Sequence, residues 1–140
     1  WKKRYRSIDS RTSFIDTVEK SEKNVLALDF DGVLHDMDKG FHDGTIYGNP
    51  LIDCKKTLDI LSKKYDIILY SCKFNPKRPL INGKTGKELV TDWLTKNDLM
   101  QFIHSMRFGK PNAVAYIDDK ALRFSTWKQC LDDLKKMGII

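Results

Sequence analysis

Three cysteines in 140 residues, Cys54, Cys72 and Cys130, are too far apart and odd in number for a disulfide framework, and they lack the paired spacing of a zinc site. Free thiols of this kind belong to a reducing compartment, so a cytoplasmic location is expected. No apolar run approaches the roughly 18 to 20 residues that a membrane span needs, and no signal-peptide pattern opens the chain. Internal repeats, low-complexity tracts and linkers are missing too, which makes one compact domain over residues 1–140 the simplest organisation. The three histidines, His35, His42 and His104, are scattered and receive no role. The chain starts at Trp1 with no initiator Met, as expected of an excised piece.

With 41% hydrophobic and 31% charged residues the composition is that of a globular protein long enough to bury a real core. The net charge of +6 favours an anionic partner without choosing among nucleic acid, phosphorylated protein and lipid headgroup. Much of the excess lies in Trp1-Lys2-Lys3-Arg4-Tyr5-Arg6, which reads as a solvated basic arm. Ser13-Phe14-Ile15-Asp16 has the form of a capping box and predicts a short helix to about Glu22. Residues 1–23 are thus arm and helix, and residues 24–140 are the core.

The core is organised around Val25 to His35, an apolar run ending in two carboxylates, Asp29 and Asp31, with Gly32 behind them. A short continuous apolar run predicts a strand buried on both faces, and ligands of open α/β sheets bind outside the carboxyl ends of such strands. Polar, Gly-rich residues 36–49 predict an irregular flap beside that site. Asn49-Pro50 predicts the start of a helix whose apolar residues are Leu51, Cys54, Leu58, Leu61 and Tyr65. Asp66 to Tyr70 predicts the second strand, delivering Ser71 to the same edge through a right-handed βαβ unit. Further elements are expected as a helix near Thr85 to Asn97 with Leu89, Trp93 and Leu94 inward, a strand from Gln101 to Ser105, and another from Ala113 to Ile117. That last strand delivers Asp118 and Asp119, and a final helix runs from about Thr126 to Met137 with Trp127, Leu131 and Leu134 inward.

Four strand-end features converge: Asp29 with Asp31, Ser71, Lys110, and Asp118 with Asp119. Clustered carboxylates repel one another unless a hard cation sits among them, and oxygen ligands suit Mg²⁺ better than zinc. A lysine and a hydroxyl nearby suit phosphate oxygens, one carboxylate can serve as nucleophile, and the other can protonate a leaving oxygen.

These residues resemble the four motifs of the haloacid dehalogenase-like superfamily, in particular its small capless Mg²⁺-dependent phosphatases. Leu28-Asp29-Phe30-Asp31-Gly32-Val33 is similar to the first motif, Ile67 to Ser71 to the second, Lys110 with Pro111 to the third, and Tyr116-Ile117-Asp118-Asp119 to the fourth. The resemblance covers about residues 24–137. It implies a three-layer Rossmann-like sandwich with a mainly parallel central sheet and no cap domain. It also implies that Asp29 becomes an aspartyl phosphate, that Asp31 is acid and then base, and that Ser71 and Lys110 hold the phosphoryl group. Asp29, the Asp31 carbonyl and Asp118 would ligate Mg²⁺, with Asp119 acting through a water. The Asp at position 31 favours hydrolysis over ion transport.

Look-alikes fail on particular residues. Gly83-Lys84-Thr85 ends like a phosphate-binding P-loop, but the earlier Gly is replaced by Arg78. Asp36-Met37-Asp38-Lys39-Gly40 starts like a calcium loop, but its sixth and twelfth positions are Phe41 and Tyr47. A receiver domain would put its acceptor Asp where this chain has Ser71. Without a cap the site admits a phosphate on a macromolecule, and the basic loop Lys73 to Arg78 lies next to Ser71. A phosphoprotein, phosphotyrosine included, is the expected substrate of a monomeric enzyme. The alternatives are a nucleic-acid 3′-phosphate, a small phosphorylated metabolite and, from another class, a phosphate-binding module without turnover.

Overall fold

The computed structural model describes residues 23–140, so the basic arm and the helix predicted before Glu22 lie outside the described residues. Four strands form one parallel sheet: β1 (Asn24–Leu28), β2 (Tyr65–Tyr70), β3 (Ile103–Arg107) and β4 (Ala115–Ile117), in the order β3-β2-β1-β4. Three helices accompany them: α1 (Cys54–Ser62), α2 (Gly86–Lys96) and α3 (Trp127–Lys136). Among the described residues no helix is long and apolar enough to cross a membrane.

The two central strands are the apolar runs of the sequence. Leu26, Leu28, Ile67 and Leu69 are buried and join Phe30, Leu34, Leu58 of α1 and Val90, Trp93 and Leu94 of α2 in one continuous core. Removing a large side chain from such a cluster costs about 2–5 kcal/mol. Helix α2 starts where Thr85 caps it: its hydroxyl accepts from the Glu88 N–H while Glu88 reaches back to the Thr85 N–H. Such a cap is worth about 1 kcal/mol.

Several boundaries differ from expectation. Pro50 does not open a helix. It bridges to His35, the Leu51 N–H donates to the Leu34 carbonyl, and α1 begins after Asp53, whose φ is 64°. Strand pairing wins there because it anchors the end of the flap to the residues behind Asp31. Tyr65 belongs to β2 rather than to α1, and Val90 replaces Leu89 as the buried residue of α2. The third strand starts at Ile103, after a turn of 3₁₀ helix at Met100–Phe102.

The largest departure concerns α3. Its span is as expected, but Trp127 is 78% exposed and Leu131 45%, against the expectation that both point inward. Apolar spacing marks one face of a helix without saying what lies against it. Here no residue of α3 is buried, and the edge strand β4, three residues long, is exposed as well.

Candidate active site

Parallel register brings the two acidic strand ends together. Leu28 pairs with Ile117, and the Asp29 N–H donates to the Ile117 carbonyl at 3.0 Å, so Asp29 and Asp118 leave neighbouring strands side by side. Carboxylate oxygens of Asp29, Asp118 and Asp119 all lie within 4.8 Å of one another. Gly32 makes room for this: its φ is +82°, and a Cβ there would collide with the Asp119 carboxylate.

Such crowding has an electrostatic cost. Burial pushes the Asp29 carboxyl up to about 6, and the charges of Asp118, Asp119 and Asp31 add to the rise, against a hydrogen bond from the Phe30 N–H. A hard divalent cation would offset both the desolvation and the repulsion, and three carboxylates are the donor set it prefers. Asp29, Asp118 and Asp119 are therefore the residues that could hold one.

Asp31 is treated differently. One of its oxygens accepts from His35 Nδ1 at 2.9 Å, and the other lies 3.2 Å from Lys73 Nζ. His35 Nε2 accepts from the Gly48 N–H at 2.9 Å, so its proton sits on Nδ1 and points at Asp31. Burial pushes the Asp31 carboxyl up, but the His35 hydrogen bond and the Lys73 charge outweigh it and hold the group below its ordinary value. His35 is itself buried, stacked on Phe30 with Trp93 and Tyr47 edge-on to it. The Trp93 indole donates to the Gly48 carbonyl, so one aromatic cage fixes both the histidine and the end of the flap.

Ser71 is buried at the end of β2, where its hydroxyl accepts from the Lys73 N–H at 3.1 Å and starts a 3₁₀ turn at Cys72–Phe74. That turn swings Lys73 back toward Asp31. Lys110 is exposed, with its ammonium 4.3 Å above the centre of the Tyr116 ring, and it makes no ion pair with the described acids. It stands at the far end of a contact chain in which Tyr116 meets Tyr70 edge-on and the Tyr70 hydroxyl donates to Asp118 at 3.0 Å. Burial, together with that bond, pushes the Tyr70 hydroxyl up to about 12.

Of the six residues expected at the site, the structure thus joins Asp29, Asp118 and Asp119 in one cluster and sets Asp31 beside it. Ser71 enters through the turn it caps, and Lys110 rests on the Tyr116 ring, at the end of the contacts that lead through Tyr70 to Asp118. Three contributors were missed. Tyr70 was legible as the last residue of the strand paired with β1, His35 as the residue four after Asp31, and Lys73 as the first charge after Ser71. Comparisons of the chain with models of protein families, with curated proteins and with solved structures find no match.

Proposed function

We propose that the protein is a Mg²⁺-dependent phosphomonoester hydrolase of the haloacid dehalogenase-like kind, working through an aspartyl phosphate on Asp29. The observation that carries this reading is the division of labour at one sheet edge: Asp29, Asp118 and Asp119 converge within 4.8 Å while Asp31, two residues on, is held apart between His35 and Lys73. The reading brings with it the three-layer, capless architecture implied by the resemblance, and a role for Lys110 and Ser71 on the phosphoryl oxygens.

In the first step an Asp29 oxygen attacks phosphorus, the bond to the leaving oxygen breaks, and Asp31 supplies the proton that oxygen needs. In the second, Asp31 takes a proton from water, the water oxygen bonds to phosphorus, and the Asp29–phosphorus bond breaks to release inorganic phosphate. Asp29, Asp118 and Asp119 would hold Mg²⁺, which when bound neutralises the carboxylates and the phosphoryl oxygens. His35 keeps Asp31 oriented throughout, and Ser71 holds the turn that delivers Lys73.

The open rim suits a phosphate carried on a macromolecule. A phosphoprotein and a nucleic-acid end are told apart by a substrate panel, but the reaction itself is tested more simply. Hydrolysis of p-nitrophenyl phosphate is expected with Mg²⁺ and not with excess chelator. A protein inactive in both conditions on this ester and on the panel would overturn the reading.

A further inference from the structure

We propose that the notch beside Asp31, walled by Lys73, Arg78 and Phe41, is a subsite for a second phosphate carried on the leaving group of the substrate. The inference rests on the hydrolase reading, which places the leaving oxygen at Asp31.

Lys73 is built in rather than draped on the surface. Its side chain is 9% exposed, its N–H is held by the Ser71 hydroxyl, and its carbonyl packs so closely on the first residue of α2 that a Cβ at Gly86 would collide with it. Burying an ammonium this far calls for an anion beside it, and Asp31 is the one it touches. On its other side the ammonium lies 5.6 Å from the centre of the Phe41 ring, and the Arg78 guanidinium lies 5.8 Å from the same centre. Phe41 is therefore a wall shared by two cations.

The two cations are not equally satisfied. Lys84, also on the rim, is committed to Asp92. Arg78 makes no ion pair among the described residues, although it is half-buried. Together with Lys73 it borders a shallow depression, open to solvent and lined also by Gly44, Ile81 and Leu89. Apolar neighbours strengthen the attraction of the two cations for an anion, and a guanidinium fork matches phosphate oxygens.

Position then selects the substrate. The notch begins at the cation touching Asp31, so its occupant must belong to the same molecule as the phosphate under attack and lie one small unit away. A sugar phosphorylated at two positions satisfies this, and so does a terminal phosphate with a phosphodiester on the next oxygen of its ribose. A phosphotyrosine or phosphoserine side chain carries no such neighbour.

The test uses protein with Asp29→Asn, which cannot turn substrate over, titrated in Mg²⁺ by calorimetry. A nucleoside 3′,5′-bisphosphate should bind at least about tenfold more tightly than the 3′-monophosphate, the size of one charge-assisted hydrogen bond. Adding Arg78→Ala should collapse that ratio, and Arg78→Lys should restore part of it. A 3′-phosphorylated dinucleotide separates the sources: tighter binding than the bisphosphate assigns the notch to a phosphodiester strand, and weaker binding to a small bisphosphate. Equal affinities for mono- and bisphosphate, or a phosphopeptide with acidic flanks binding as well as the bisphosphate, would overturn the subsite while Mg²⁺-dependent hydrolysis of p-nitrophenyl phosphate by the unaltered protein still stood. Loss of that hydrolysis brings down the parent reading, and the subsite with it.

Discussion

Asp29 and Asp31 leave the same strand two residues apart, yet their surroundings move them in opposite directions. Asp29 is pressed among two further carboxylates and keeps its proton up to about pH 6, whereas Asp31 lies between a histidine N–H and an ammonium and gives its proton up early. The chain leaves β1 after Leu28 and reverses through Gly32, so the two carboxylates meet different neighbours: Asp29 meets the acids that follow β4, and Asp31 meets His35 and the turn after β2. Residue type alone therefore does not assign acid, base and nucleophile, while the environment does. Asp31 rests in the base form that the second step uses. Protonating a leaving oxygen requires it first to gain a proton, so esters whose oxygen leaves unaided should be the faster substrates.

The sharpest way to break the comparison is to neutralise each carboxylate in turn. Asp29→Asn should lower turnover at least about 10³-fold on every ester, since the covalent route is lost and enzymes supply about 10⁶-fold or more in all. Asp31→Asn should slow an alkyl phosphate by about 10²–10⁴-fold and p-nitrophenyl phosphate far less, because nitrophenolate hardly needs a proton. Acid quench should trap phosphoenzyme in the second variant and none in the first. Identical losses on both esters in Asp31→Asn, with nothing trapped, would show that Asp31 has another task.

A smaller effect is expected on the metal side. Asp118→Ala should weaken Mg²⁺ binding by about 10–100-fold in calorimetric titration, since it removes a carboxylate that Tyr70 orients. Asp119→Asn should be milder. Both variants binding Mg²⁺ as well as the unaltered protein would detach this cluster from the metal.

How much of this was legible beforehand divides along the same line. The Asp29, Asp118 and Asp119 cluster follows from two apolar runs read as parallel strands, of which β1 is buried and β4 exposed, and the Leu28 to Ile117 register then sets the acids side by side. What escaped was everything that holds Asp31. His35 carried no motif, and only the chain reversal behind Gly32 brings it back over Asp31. Lys73 looked like one charge among many in a basic loop, and its burial depends on a 3₁₀ turn that Ser71 caps. Lys110 was legible only by its order along the chain, which says nothing of the Tyr116 ring its ammonium rests on. Trp127 fails for a related reason, because a periodic face announces apolarity and not the partner that would cover it.

The least drastic test leaves catalysis aside and reads the two carboxylates through stability. Asp29 has a folded value of about 6 against an ordinary 3.8, so between those two pH values the folded protein binds more protons than the unfolded chain. Its contribution is fully present below about pH 4 and is lost as pH rises through 6. Asp31 is lowered on folding, so its contribution is present above its ordinary value and is lost as pH falls below it. In chelator, the thermal midpoint of the unaltered protein should therefore decline between pH 4 and 6 relative to Asp29→Asn, while Asp31→Asn should lose the advantage that the unaltered protein shows above pH 4. Saturating Mg²⁺ should abolish the first difference, because a cation among Asp29, Asp118 and Asp119 takes the place of the proton, and its affinity should fall as pH drops through 6. Parallel melting profiles for the unaltered protein and Asp29→Asn from pH 4 to 7 without metal would mean that crowding does not strain Asp29, and the contrast between the two carboxylates would be lost.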